Sequence, residues 1–433
     1  MLNNLTLNSC TVDITDFRET KEKVLNWAQR FNTFCFLDNH QYPSRQHTRE
    51  CLLGAGAKKE LNLNAGSALV GLQTFIDRHK GWLFGHLGYE LKNETEKLSS
   101  SHPDGIRFPD LYFFEPEIIV HLNENQITIE AEDPGQIFKL IHSSGKLSSL
   151  RTPSIPVHVR HRIPEHDYCS IIGQLKKHIL RGDCYEINFC QEFFAENATI
   201  EPVGIYQKLS AVSPNPFSAL YRLNDKWLIC ASPERFLKKE GDTILSQPIK
   251  GTSRRVIKDA ESDELSRMKL QQSAKDRSEN VMVVDLVRND LAKVCEEGTV
   301  RVEELYGIYS FPQVHQMIST VSGDLKINTS FTDIIRATFP MGSMTGAPKK
   351  RVMELIEQYE KSGRGIFSGS VGYISPGGDF DFNVVIRSIL YNASARYLSF
   401  QTGSGITFYS EPDNEWEECM LKAAAIKEVL ADQ

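Results

Sequence analysis

Three observations predict an α+β fold. Apolar runs with strand character follow one another in series instead of alternating one for one with helical segments, which argues against a doubly wound parallel sheet. Short turns rich in Pro, Gly and Asn separate the C-terminal runs, as antiparallel neighbours require. At 433 residues, 40% hydrophobic and 24% charged, the chain has material for one large core or two smaller ones.

In chain order, TFCFLDN reads as an apolar strand and GWLFGHLGYEL as a strand running into a helix. LYFFEPEIIVHL and QITIEAE, joined by Asn-Glu-Asn, read as a hairpin. In HSSGKLSSLRTPSIPV, residues 142–157, Ser, Gly and Pro displace the apolar period, so we divide the chain into an N-terminal region, 1–145, and a second region, 158–433. The stripe Tyr168, Ile171, Ile172, Leu175, Ile179 predicts a helix ending near Gly182. Strand patterns follow in YEINFCQEF, SALYRL, KWLICA, RFLKKE and TILSQPI. Residues 261–294 carry a helical period with Val283, Leu286, Val287 and Leu291 on one side. Val352, Leu355, Ile356 and Tyr359 predict a helix up to Gly363. IFSGSVGYIS, DFNVVIRSILY and YLSFQTGSGITFY predict a three-stranded meander, and a last helix follows Asp413 as its N-cap.

Composition narrows the function. The 49 Lys and Arg against 56 Asp and Glu give a net charge of −7, and no basic run interleaved with aromatics offers a track for nucleic acid. The nine cysteines are scattered and never spaced C-x-x-C, so they read as reduced thiols. The N-terminal residues lack a basic-then-apolar leader and no run approaches 18 apolar residues. The expectation is a cytoplasmic protein with neither membrane nor nucleic-acid partners.

Several stretches could carry chemistry. In SQPIKGTSRR, Lys250 lies between a proline and Gly-Thr. A free lysine has a pKa near ~10.4, so nucleophilic work would need a setting that releases its proton. Glu234 in SPERFL is placed to reach a neighbouring strand end. Glu415 and Glu418 share a helix face, with Lys422 one turn on; the plain reading is a solvated, ion-paired surface. Glu279, heading the apolar run of KDRSENVMVVDLVRND, adds a carboxylate from a second helix, and such a set would suit Mg²⁺. In FPMGSMTGAPKK, two glycines and two hydroxyls precede a helix, which a capped N-terminus alone does not explain. Gly403, Ser404 and Gly405 could bring backbone amides to a carboxylate or mark a bulge. Arg387 interrupts an apolar strand pattern and calls for an anion.

GDCYEINFCQ, SPERF, PIKGT, DRSENVMVVDLVRND, GSMTGAPK, GSVGYIS, VIRS, GSG and EWEECMLKA, in this order over residues 160–433, resemble the chorismate-utilising enzymes. The likeness is to the branch that aminates chorismate for folate synthesis, and the N-terminal region is similar to that family's variable lobe. The resemblance implies two large, mostly antiparallel sheets packed face to face with helices outside. It implies a Mg²⁺ ion held by Glu279 and Glu418, with Glu415 acting through water, on the ring carboxylate of chorismate. The Gly403, Ser404 and Gly405 backbone would hold that carboxylate, and Arg387 and Tyr373 the enolpyruvyl one. Thr252, Thr345 and Lys422 would line the substrate, and Arg288 would belong to the surrounding polar shell.

Lys250 would attack ring C2 as the C4 hydroxyl leaves, Glu234 serving as acid and then base. Ammonia would displace the lysine to give 4-amino-4-deoxychorismate. No glutaminase constellation is recognisable, so ammonia would come from a glutamine amidotransferase subunit. Anthranilate-forming relatives read Pro-Ile-Ala-Gly-Thr at the lysine motif, which sets Lys250 against that alternative; a non-catalytic regulator of an amidotransferase is the rival of another class. The chain departs from the family at Gln316, often histidine, at Lys293, often arginine, and at Glu186, where water-using relatives carry lysine.

Overall fold

The computed structural model of the chain describes residues 7–43, 46, 49–145 and 157–431. Residues 146–156, the greater part of the predicted division, lie outside the described residues. Strands from either side of that stretch pair directly: Thr33–Asp38 with Phe217–Leu223, and Leu83–Leu87 with Ser370–Ile374.

Every strand pairing is antiparallel, and the α+β class holds. One layer runs, in hydrogen-bonded order, through Asn8–Asp13, Gln126–Ala131, Leu111–Leu122, Cys51–Leu63, Thr33–Asp38, Phe217–Leu223, Lys226–Ser232, Ser388–Asn392, Tyr397–Ile406 and Glu186–Ala195. The other runs through Leu83–Leu87, Ser370–Ile374, Phe380–Asn383, Arg235–Glu240, Thr243–Gln247 and Val314–Asp324, which also pairs with Ile249–Arg254 and Arg301–Ser310. The long strands Cys51–Leu63 and Leu111–Leu122 join the layers. Ile119–Leu122 pair in the first and Leu111–Phe114 in the second, and the register shifts between Ala57 and Lys59.

Alternation along the strands gives each layer its two faces. Cys35, Tyr221, Leu228 and Leu390 of the first layer share a core with Phe84, Leu237, Val371 and Phe382 of the second. Phe34, Phe36, Leu220, Ile229 and Ile389 point the other way, into a second core. Val24 and Trp27 of helix Phe17–Ala28, Ile172 and Leu175 of Glu165–Leu180, Leu355 of Lys349–Tyr359, and Cys419 and Ile426 of Pro412–Ala431 close that face.

Three predicted elements are corrected. The helical period over 261–294 is two helices, Ala260–Gln272 and Ala274–Ala292, because Ser273 leaves the helical conformation and caps the second through the Asp276 amide. DFNVVIRSILY is not one strand: Phe380–Asn383 lies in one layer and Ser388–Asn392 in the other, with residues 384–387 crossing between them. The meander is therefore two hairpins in different layers. The last helix begins at Pro412, so Asp413 sits in its first turn.

Candidate active site

Lys250 is the second residue of strand Ile249–Arg254, whose register with Val314–Asp324 shifts between Ile249 and Thr252. Its side chain keeps 11% exposure, and Nζ lies 2.5 Å from Glu186 Oε1, at the start of strand Glu186–Ala195. Burial alone would lower the lysine pKa, but Glu186, Glu279 and Glu234 outweigh it and raise the value above the ordinary one. The resting amine is an ammonium ion.

Glu234 precedes strand Arg235–Glu240 and is buried. Burial pushes its carboxyl up to about 7, against the pull of Ser343, Lys250 and Arg387. Its carbonyl accepts from the Val384 amide at 3.0 Å, fixing it to the crossing segment that carries Arg387. Arg387 itself has φ +51°, and no carboxylate of the described residues lies within ion-pair distance of its guanidinium. Burial lowers its pKa to about 10, with Glu234 opposing. A half-buried guanidinium with no carboxylate in direct contact can receive an anion.

Glu279 lies in helix Ala274–Ala292; burial lifts its carboxyl to about 7, and its buried Oε1 has no hydrogen-bond partner. The Lys275 ammonium stands 3.9 Å from Glu279 and 4.0 Å from Glu415. Glu415 is buried and accepts from Ser404 Oγ, while Glu418, one turn on, pairs with Lys422 at 2.7 Å. Burial would raise the Glu418 carboxyl, yet Lys422, Lys275 and Lys250 hold it below the usual range. Lys422 also donates to the Gly403 carbonyl at 2.8 Å. These carboxylates do not converge as tightly as a bound ion would draw them. The group of three potential ligands within 4.8 Å among the described residues is Asp38, Glu50 and Cys51, elsewhere in the first layer.

Gly403, Ser404 and Gly405 pair in unbroken register with Cys190, Phe189 and Asn188, so they form no bulge. Glycine at 405 lets the pair sit close to the strand: a Cβ there would stand 2.7 Å from Glu186 Oε1 and 2.9 Å from Lys250 Nζ. The GSMTG turn is seated on the same strand. Gly346, at φ +144°, pairs with Ile187, and a Cβ would meet the Glu186 carbonyl at 2.1 Å. Thr345 is fully buried and spends its hydroxyl on the Met341 carbonyl at 3.1 Å.

Other predicted residues fall elsewhere. Tyr373 lines a separate pocket with Arg49, Arg235 and Asp381, and shares no wall of it with Lys250 or Arg387. Its strand register explains this: Tyr373 pairs with Asp381 and Phe84, inside the second layer. Thr252 is exposed. Arg288 pairs with Asp285, both side chains more than half exposed. Lys293 joins Lys349 in neutralising buried Asp290. Gln316 is buried, with Oε1 lacking a partner.

Sequence reasoning missed two groups. Glu186 was read only as a departure, whereas it is the ion-pair partner of Lys250. Glu360 and Arg364 form a buried bidentate pair, at 3.0 and 2.6 Å. Arg364 donates to the Met344 and Asn188 carbonyls, and Glu360 accepts from the Cys190 amide, so the pair ties the GSMTG turn to the strand bearing Glu186. Its signal was the Glu-to-Arg spacing of four in EKSGRG.

Residues 32–428 match the chorismate binding enzyme family, and the chain belongs to it. A Synechocystis protein described as anthranilate synthase component I-like is 34% identical over 357 residues, 81% of this chain and 73% of that protein. Aminodeoxychorismate synthase component 1 of Klebsiella aerogenes is 34% identical over 356 residues, 80% of this chain and 76% of its own length. Among solved structures, anthranilate synthase component I of Streptococcus pneumoniae superimposes with a TM-score of 0.78 at 24% identity, covering 89% of this chain and 95% of that one. This last likeness is one of fold.

Proposed function

We propose that the chain is the chorismate-aminating subunit of an aminodeoxychorismate synthase, converting chorismate and ammonia to 4-amino-4-deoxychorismate in the cytoplasm. The observation that carries this reading is Lys250, an amine 11% exposed among Glu186, Glu234 and Glu279. The name of the Klebsiella relative supports it. No helix among the described residues is long and apolar enough to cross a membrane. All the residues invoked lie in 158–433, which we take as the catalytic region, with 1–145 as a variable lobe.

In this reading Lys250 forms a bond to ring C2 while Glu234 protonates the departing C4 hydroxyl. A carboxyl raised to about 7 is suited to giving and retrieving a proton near neutrality. Arg387, with no carboxylate of the described residues within ion-pair distance, receives the enolpyruvyl carboxylate. Ammonia, supplied by a glutamine amidotransferase subunit, adds at C4 and expels the lysine. The residues fit a Mg²⁺ ion: the orphaned Glu279 Oε1 and the Glu415 and Glu418 carboxylates are hard oxygen donors, now attended by Lys275 and Lys422. Bound there, Mg²⁺ would neutralise the ring carboxylate of the substrate.

The test is to incubate the chain with chorismate, ammonium salt and Mg²⁺ and identify the product by mass, beside Lys250→Ala and a chelator control. Aminodeoxychorismate from wild type only, lost with the lysine or the metal, is the expected result. Anthranilate and pyruvate from wild type would favour instead the activity named for the Synechocystis relative.

A further inference from the structure

For the amination proposed, Lys250 first has to give up a proton. The amine must lose one before its lone pair can attack carbon, and four carboxylates face it from four elements. Glu234 stands before strand Arg235–Glu240, Glu279 on helix Ala274–Ala292, Glu418 on helix Pro412–Ala431 and Glu186 on strand Glu186–Ala195. Glu234 must hold a proton for the leaving hydroxyl at that moment, so it cannot also accept one. Glu279 is not within ion-pair distance of Lys250, and Glu418 is engaged by Lys422.

We propose that Glu186 is the base of the nucleophile: at 2.5 Å it accepts the Lys250 proton on Oε1 and returns it when the lysine is expelled. The inference rests on the amination reading. Three features support it. The carboxylate is buried, so its contact with the amine is not shared with water. Its Oε2 is buried and accepts from no donor, so the carboxylate's one hydrogen bond from the described residues is the lysine's own. And Gly405 leaves open the space beside both atoms, where any side chain would collide with them.

The step balances. Lys250 passes H⁺ to Glu186 and is left as the neutral amine. Its lone pair forms the C2–N bond, both ring double bonds shift (C1=C2 to C1=C6 and C5=C6 to C4=C5), and the C4–O bond breaks with the Glu234 proton leaving in water. Ammonia then bonds C4, the C2–N electrons return to Lys250, Glu186 reprotonates the amine, and Glu234 takes the surplus proton from the new C4 ammonium.

The test compares wild type, Glu186→Gln, Glu186→Asp and Lys250→Ala for kcat between pH 6.5 and 9.5, with ammonium and Mg²⁺ supplied. Reductive methylation of Lys250, read by mass spectrometry, is followed across the same range. Glu186→Gln is expected to lower kcat about 10²- to 10⁴-fold at every pH. Lys250 should meanwhile be methylated at lower pH than in wild type, since an opposing charge has gone. A variant within threefold of wild type at its alkaline plateau, with only the acid limb displaced, would make Glu186 a counter-ion and overturn the proposal. Should Glu186→Gln not fold, Glu186→Asp decides: about a tenfold or larger loss of kcat with an unchanged methylation profile supports the base, and an unchanged kcat overturns it. Full turnover by Lys250→Ala would remove the amination reading itself, an outcome distinct from a failure confined to Glu186.

Discussion

Lys21 and Lys250 each place an ammonium 2.5 Å from a buried carboxylate, with 16% and 11% of the lysine side chain exposed, yet the two settings differ in how fully the acid is satisfied. Around Asp38, the Tyr206 hydroxyl and the His40 amide donate at 3.0 Å and Cys51 Sγ at 3.6 Å, in addition to Lys21. Burial would raise the Asp38 carboxyl, but His40 and Lys21 lower it to about 2. That acid is held ionised by its neighbours, and it fixes the end of strand Thr33–Asp38. At the other pair, Glu186 Oε2 and Glu279 Oε1 lack partners, and two nearby carboxyls stand at about 7. Unmet hydrogen bonding at a buried charge costs stability and is kept where a ligand or a proton completes it.

The comparison is broken most severely by Asp38→Ala, which strands Lys21 without its partner. We expect a loss of about 3–5 kcal/mol, read as a lower denaturant midpoint at constant slope. A loss under about 1 kcal/mol would mean that Asp38 is no more structural than its counterpart.

Glu234→Gln should act in the opposite direction. In the folded chain Glu234 binds its proton up to about 7, against 4.5 for an ordinary glutamate, so its contribution to stability is full below 4.5 and is lost as pH rises through 7. At about 1.4 kcal/mol for each tenfold change in proton affinity, wild type forfeits about 3 kcal/mol by pH 8. Glutamine cannot ionise, so the variant should melt higher than wild type at pH 8, with the gap closing toward pH 4.5. Its kcat should fall about 10²- to 10⁴-fold. Scanning calorimetry at both pH values checks the sign.

Gly405→Ala sharpens the contrast without touching a charge. The added methyl meets the ends of two flexible side chains, Glu186 Oε1 at 2.7 Å and Lys250 Nζ at 2.9 Å, so they can move aside at a cost of about 1–2 kcal/mol. Activity should drop at least about tenfold, because the pair no longer meets where the strand places it. Equal loss of stability and activity would point to a general packing defect.

How much of this was legible follows from period and from distance along the chain. The strand Thr33–Asp38 and the hairpin Leu111–Leu122 with Gln126–Ala131 announce themselves by apolar runs and a short polar turn. The strand Cys51–Leu63, which bridges both layers, carries GAGAKK at its centre and has no such signal. Lys250, Glu234, Glu279, Arg387 and Glu415 were visible as residues, and their mutual placement came from the resemblance. The motif containing Tyr373 fixes a strand but not which layer that strand joins. Glu186, 64 residues from Lys250, could only be paired with it by the fold.

The smallest effect belongs to Arg288→Ala, where one helix tests the same distinction at its surface. Arg288 meets Asp285 at 2.8 Å, three residues apart, with side chains 51% and 61% exposed. Two residues on, Asp290 turns inward, is buried, and accepts from Lys349 at 2.5 Å and Lys293 at 2.9 Å. A solvated pair spends side-chain entropy and gains little Coulomb energy in water, so removing Arg288 should change stability by no more than about 0.5 kcal/mol. The kcat should stay within about twofold of wild type, because the guanidinium is solvated and paired with Asp285. Asp290→Asn, on the same helix, leaves Lys349 with the Thr338 carbonyl as its hydrogen-bond acceptor and should cost more. If urea titration ranked the two the other way round, burial would not be what separates a working charge from a decorative one in this molecule.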